Sequence, residues 1–398
     1  MATAATPTAT TSARALTYAA YISFVPIGIA TVLLGPMLPT LSAQWSLNYA
    51  QAGALFNAQY LVSTCAVALS GVVVARWGYR VAINVGLLLM AVGVAFLLSG
   101  PKALGVLCIG AYGGGLGLAV PAANLLVAAG NPERRSATLS VLNFFWSLGA
   151  VACPFLVSAA VKTGHTQLFL LSVAATAVAV ALGISLMRNT LAEPAPARHK
   201  APVLPIIRSR SRQFAFLAAL FLVYVGVENA FGQWMASYAK SLGTLTLAVA
   251  LATPSLFYFS LMVGRWIAPA LLRFLDEIKL VQSGLLLACA GMTGLMFSRQ
   301  LPGIAASAIA AGFGLSAVYP ITISLLSRES DSAKIGSTMF VLSNLGGGLL
   351  PWIVGVFSTR FGTMKAGLYV PLLGCLAMYL LYVQNWIRSD PAGDHPRG

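Results

Sequence analysis

The residues that could do chemistry gather on one stretch, Leu220-Phe-Leu-Val-Tyr224-Val-Gly226-Val-Glu228-Asn229-Ala-Phe-Gly232-Gln233-Trp234. Tyr224 and Glu228 are spaced i, i+4, as are Asn229 and Gln233, so each pair shares a strip of a helix. Trp234 adjoins them. A carboxylate and amides can bond polar groups, and an aromatic face can cover a ring. The chemistry on offer is hydrogen bonding and stacking around a small polar solute. Among the nine acidic residues, Glu228 alone lies deep in an apolar run. Counted from Gln213 it lies about 22 Å along a helix, near the middle of a hydrocarbon core roughly 30 Å thick. A carboxylate there costs about 2.5–3.5 kcal/mol on insertion scales, so it should face a cavity or a partner. The competing reading is a protonated Glu that merely stitches two helices together.

Further polar and aromatic residues lie at similar depth in other apolar runs. Asn57 and Tyr60 share a helical face, with Gln59 on a neighbouring strip. Asn124 follows Pro121, and Asn143, Trp146 and Ser147 share another face. Tyr258, Tyr319 and Asn344 could close the site from the second half of the chain. Buried polar groups need partners, so several should converge on one cavity. The alternative for each amide is an interhelical hydrogen bond worth about 0.6 kcal/mol. For Trp146 and Trp234 it is packing or an interfacial belt.

The elements that must hold these residues follow from composition. Hydrophobic residues make up 58% of the 398, charged residues 8%, against about 25% charged in an ordinary soluble protein. The long apolar runs lack the alternation of a membrane barrel, which leaves a polytopic α-helical membrane protein. The net charge of +15 does not indicate nucleic acid, because Lys and Arg sit at helix ends and loops, where lipid headgroups are the counter-charge. The five cysteines fall singly in five apolar runs, without metal-ligand or disulfide spacing. No catalytic triad or zinc set can be drawn, so an enzyme is not expected. The Gly113-Gly-Gly-x-Gly117 run lacks the following Lys and the strand of a phosphate loop and reads as close helix packing. No cofactor is expected.

Residues 1–14 are Ala/Thr-rich, read as a disordered N-terminus, and lack the basic start of a signal peptide. Six apolar spans follow within residues 15–187, at about 15–43, 48–76, 80–100, 103–130, 136–161 and 166–187. Residues 188–212 form one polar, Pro-rich and basic linker. Six more spans fill residues 213–387, at about 213–240, 245–273, 279–297, 302–327, 334–361 and 364–387, before a tail at 388–398. An N-terminus in the cytoplasm places eighteen Lys and Arg on that side against six on the other, which puts both termini and the linker inside.

The halves repeat at a spacing of about 200 residues. Gly115-Leu-Gly-Leu-Ala-Val-Pro121 matches Gly312-Phe-Gly-Leu-Ser-Ala-Val-Tyr-Pro320, and Ser147-Leu-Gly149 with Pro154 matches Asn344-Leu-Gly346 with Pro351. Two pseudo-symmetric six-helix bundles with a site between them suit a rocking transporter.

At this point the chain resembles the major facilitator superfamily over nearly all its length. The loop Gly71-Val-Val-Val-Ala-Arg76-Trp-Gly78-Tyr-Arg80 is similar to that family's loop between its second and third spans, with Ala75 where the family usually has Asp. The resemblance implies gating roles for Gly71, Arg76, Gly78 and Arg80. Gly71 is expected to allow close helix approach and Gly78 a tight turn, while the two arginines hold carboxylates, helix ends or lipid. Met262-Val-Gly264-Arg265 is the second-half counterpart, which places Arg265 near the cytoplasmic gate. The stretch Tyr224–Tyr238 resembles the seventh span of fucose-permease-like sugar transporters, as do Gly35-Pro36-x-Leu-Pro39 with Trp45 and Gln51-Ala-Gly53. The acids that handle protons on the first and fourth spans of that group have no match here.

The expected function is secondary-active or facilitative transport of a sugar or similar small polar solute. Coupling to a proton through Glu228, to sodium or to nothing stays open. Export of drugs or other organic compounds is the runner-up, weakened because Gly149 and Pro154 are not an adjacent pair. A non-transporting sensor is the third reading. The expected partners are the solute and the bilayer of a bacterial-type plasma (inner) membrane, with the protein a monomer.

Overall fold

The computed structural model describes residues 7–131, 134–187, 211–329 and 333–389. The first half holds α1 (Pro7–Val32), α2 (Leu34–Gln44), α3 (Tyr49–Ala95), α4 (Lys102–Gly130), α5 (Arg135–Thr163) and α6 (Thr166–Leu186). The second holds α7 (Ser211–Ser241), α8 (Leu247–Ala252), α9 (Pro254–Leu271), α10 (Glu277–Phe297), α11 (Leu301–Leu315), α12 (Val318–Glu329), α13 (Ala333–Arg360), α14 (Met364–Gly367) and α15 (Tyr369–Ser389). Among the described residues, eleven stretches are long and apolar enough to cross a membrane. One of them, α3, has 47 residues and would run about 70 Å as a single rod, more than twice a bilayer core. It is two spans, because Gly78 breaks it at φ 84° and ψ 167°. Twelve spans result.

Proline sets the other interruptions. A proline ring clashes with the carbonyl four residues upstream and supplies no N–H to the ladder. Pro36 acts on Val32, where α1 ends, and Pro320 on Ser316, where α11 has just ended. Pro371 acts on Gly367, the last residue of α14, and Pro254 opens α9. Helix α1 begins at Pro7, inside the stretch expected to be disordered, and residues 1–6 lie outside the described residues. Proline suits a first helical position, and the Ala/Thr run after it holds no helix breaker. Of the expected linker and tail, residues 188–210 and 390–398 lie outside the described residues.

Glycine holds each half together, and the two halves do it alike. A Cβ on Gly28 would meet the Trp146 carbonyl, and one on Gly149 the Val25 carbonyl, so α1 and α5 touch backbone to backbone. One repeat later, Gly226 faces Gly346 and Gly346 faces the Leu222 carbonyl, joining α7 to α13. Gly115 rests on Gly86 just as Gly314 rests on Gly284. The Gly113–Gly117 run is packing, as expected, with Gly113 against the Gln59 carbonyl and Gly117 against that of Ser63.

We call the side bearing the Gly78 turn and the α9–α10 turn the terminal side, and the opposite side the far side. The bundles meet toward the far side. Gly53 packs on Trp352, Gly355 on the Tyr49 carbonyl, and the Ala50 N–H donates to Thr359 Oγ1 at 2.8 Å. Ser158 Oγ donates to the Ala248 carbonyl at 2.6 Å, and Ser255 Oγ to that of Val151 at 2.8 Å. These contacts use the N-terminal turns of α3, α8 and α9 and the C-terminal halves of α5 and α13. Toward the terminal side, a Cβ on Gly71 or Gly78 would meet nothing within 4 Å, and Trp77 is exposed.

Candidate functional site: a polar centre between the bundles

Helix α7 runs through the middle of the structure with Phe231, Trp234 and Met235 fully packed, and this packing fixes its rotation. Its polar strip then faces neighbours in both bundles. Glu228 is 9% exposed, and its Oε2 lies 3.3 Å from Nη2 of Arg265 on α9. The two side chains are 12% and 21% exposed, so the pair is neither dry nor open. The same Nη2 donates to the Tyr224 hydroxyl at 3.3 Å, and the Tyr224 ring stacks on Tyr319 with centroids 5.5 Å apart.

Arg265, which the resemblance places near the cytoplasmic gate, thus turns its guanidinium to Glu228 and Tyr224 inside its own bundle. In a helix the Cα–Cβ bond tilts toward the N-terminus. Helix α9 runs toward the terminal side, so a residue near its end throws its side chain back into the membrane. The guanidinium thereby supplies the counter-charge that a mid-membrane carboxylate requires.

A second polar group lies further along α7. Tyr60 donates to Asn229 Oδ1 at 2.6 Å, and Gln233 Nε2 donates to the same oxygen at 2.7 Å. Gln233 Nε2 also approaches the Tyr60 hydroxyl at 3.4 Å. Tyr60 belongs to the first bundle and the amides to the second, so this triad spans the seam. The Gln233 Oε1 is buried without a partner among the described residues.

The remaining residues separate into two sets. Asn57 lies in the seam against Gly348, and Tyr258 is buried against Gly232. Trp146 is half-buried and donates to Thr31 Oγ1 at 3.3 Å. Asn344 is half-buried on α13. Asn124 and Asn143 bond carbonyls of their own helices, those of Val120 at 2.8 Å and Leu139 at 2.9 Å, and Asn143 is exposed. Trp234 is no interfacial belt residue. It is 1% exposed, packs against Phe56 and Tyr49 of the other bundle, and donates to the Pro351 carbonyl at 2.8 Å.

At the loop, Gly78 makes the expected turn, but open space surrounds Gly71, so it permits no close approach here. Arg80 Nη2 donates to the carbonyls of Ile184 and Ser185 at 2.7 Å each, holding the end of α6. Arg76 is exposed, its guanidinium 5.0 Å from the Trp77 ring centroid. Sequence reasoning missed Thr31, whose hydroxyl and carbonyl receive Trp146 and Gln59. A lone Thr in an apolar run gives no signal for this.

Twin bundles of six spans, with a charge pair inside one and a tyrosine–amide triad across their seam, are the architecture of a transport protein. Residues 20–356 match the Major Facilitator Superfamily, and the chain belongs to that family. A glucose/galactose transporter of Brucella abortus is 27% identical over 386 residues, covering 89% of this chain and 90% of that protein. The crystal structure of the transporter FucP in its outward conformation is similar with a TM-score of 0.65, at 20% identity over 94% of this chain and 99% of that one. A crystal structure of the nucleoside transporter NupG, in mutant form, gives 0.74 at 14% identity over the same shares.

Proposed function

We propose that the protein carries a sugar, or an uncharged solute with comparable hydroxyl groups, across the plasma membrane by rocking its two bundles about the polar centre. One observation carries the reading. Glu228 keeps part of its surface accessible and adjoins, on the same helix, the Asn229 and Gln233 amides that meet Tyr60 of the other bundle. Its free acceptor capacity suits sugar hydroxyls, and Tyr319 and Trp146 offer half-buried ring faces from opposite halves. In this reading Asn124, Asn143 and Asn344 would turn their amides to the solute from three further helices, and Asn57, Tyr60, Tyr224, Asn229, Gln233, Trp234 and Tyr258 would form its wall. The name of the Brucella abortus relative supports a hexose as the first solute to test.

Orientation follows from the Lys/Arg asymmetry, which puts the terminal side in the cytoplasm of a bacterial-type cell. The bundles then meet on the outside, and the conformation faces inward. Gly71, Arg76, Gly78 and Arg80 would act at the inner gate without the acid that Ala75 replaces. The protein works as a monomer in this reading, since each chain holds its own site. The test is entrance counterflow of glucose and galactose in proteoliposomes, beside a thermal-shift screen of sugars, amino acids and organic acids against wild type and Glu228→Ala. Counterflow and sugar stabilisation that the variant loses are expected. Stabilisation by amphiphilic drugs alone would replace this reading with an exporter.

A further inference from the structure

We propose that Thr31 is a positioning residue of the solute site, which takes up the indole N–H of Trp146 and so commits that ring to stacking on the solute. The proposal rests on the permease reading above. Trp146 Nε1 donates to Thr31 Oγ1 at 3.3 Å, and that hydroxyl spends its own proton on the Ile27 carbonyl at 2.7 Å. Thr31 therefore faces the indole with lone pairs alone. An indole has one N–H donor and no acceptor. With that donor taken, Trp146 can offer a solute only the face of its ring. Such a face covers the C–H side of a cyclic solute and leaves its hydroxyls to Glu228 and the amides.

Trp146 is held at both ends. Its backbone carbonyl sits where Gly28 lacks a side chain, so α1 and α5 touch at this level. Thr31 lies one turn further along α1 and fixes the edge of the ring. Thr31 is braced in turn. Gln59 Nε2 on α3 donates to its carbonyl at 3.4 Å, and the Tyr112 hydroxyl on α4 donates to Gln59 Oε1 at 3.2 Å. Gln59 and Tyr112 are fully buried, while Thr31 and Trp146 are half-buried. Four helices of the first bundle thus converge on one indole, and rocking would carry them as a body.

Two observations set this network apart from plain stitching of helices. One is its place. The Val151 carbonyl, which accepts the Ser255 hydroxyl from the other bundle, lies about 7.5 Å further along α5 than Trp146. The ring therefore stands beside the closed seam, on its terminal side. The other is the repeat. Thr31 is i+3 from the packed Gly28, just as Asn229 is i+3 from the packed Gly226. Asn229 belongs to the triad across the seam, and Thr31 occupies the matching position of the first bundle.

The experiment uses full-length protein in proteoliposomes and reads transport and the indole separately. Counterflow of glucose and galactose gives KM and maximal rate. Raman difference spectra, wild type against Trp146→Phe, isolate the indole band that responds to hydrogen bonding of the N–H. Thr31→Val keeps the side-chain shape without the hydroxyl. It should raise KM by about two- to tenfold, the equivalent of one hydrogen bond, with the maximal rate near wild type, and it should shift the Trp146 band to that of an unbonded indole. Thr31→Ser, which keeps the hydroxyl, should restore both. An unchanged KM or an unshifted band in Thr31→Val overturns the proposal. So does an equal rise in KM for the Val and Ser variants with an equal fall in unfolding temperature, the result that helix stitching alone would give. Absence of wild-type counterflow for both sugars would count against the sugar reading, and the Raman comparison would still decide whether Thr31 holds the indole.

Discussion

Arg265 and Glu228 stand 37 residues apart in sequence and 3.3 Å apart in space, within one bundle. Removing one partner from a buried ion pair leaves an uncompensated charge, which typically costs about 3–5 kcal/mol. Both side chains keep some exposure, which places this pair at the lower end of that range or below it. Arg265→Leu should lower the unfolding temperature in detergent more than Glu228→Gln/Arg265→Leu does. Equal loss in both, measured by thermal unfolding, would show that the pair is not coupled.

The Tyr60–Asn229–Gln233 triad joins the bundles through side chains alone. Tyr60→Phe removes the hydroxyl that donates to Asn229 while keeping the ring. A hydrogen bond of this type contributes about 0.5–1.5 kcal/mol, so closure at the seam should weaken by a few-fold to about tenfold. Spin-label distances between the far ends of α3 and α13 should shift toward an open population. An unchanged distribution would assign the triad a role in solute contact and none in closure.

Two glycine contacts that look similar should behave oppositely. Gly346 packs against Leu222 inside one bundle, in contact whatever the transport state. Gly355 packs against Tyr49 across the seam, a contact the cycle must break. Overpacking costs about 1–3 kcal/mol. Gly346→Val should therefore reduce yield and thermal stability. Gly355→Val should leave stability near wild type but stall transport with the far side open, as read by accessibility of a cysteine placed in the seam.

Arg80 and Arg76 should differ as sharply. Arg80 holds two carbonyls at the end of α6, an interaction that joins hydrogen bonding to the helix dipole. Arg80→Ala should cost about 1–3 kcal/mol of stability. Arg76→Ala, at an exposed side chain, should change stability by less than about 0.5 kcal/mol. Chemical or thermal unfolding of the two variants side by side checks this.

Spans, repeat and polar strip were legible because each depends on residues close in sequence. Apolar runs fix the spans, and paired glycines one repeat apart fix the matching of halves. The rotation of α7 followed from its i, i+4 spacings. Partnership was not legible in the same way. Arg265 looks like a surface anchor when judged by its distance from the end of α9, because sequence depth records the backbone and not the backward lean of a long side chain. Gly71 failed for a related reason: a small residue permits contact, but only a neighbour's position makes one. Trp234 reads from sequence as a solute contact with packing or an interfacial belt as the alternative, and what depth does not show is that a backbone carbonyl on α13 captures its N–H.

The far-side seam is built from glycines, hydroxyls, amides and backbone carbonyls. Dissolved electrolyte screens charges over about a nanometre, but it has little hold on such a closure. The door on that side should swing with the same ease in dilute and in saline surroundings, leaving solute occupancy as the variable that times it.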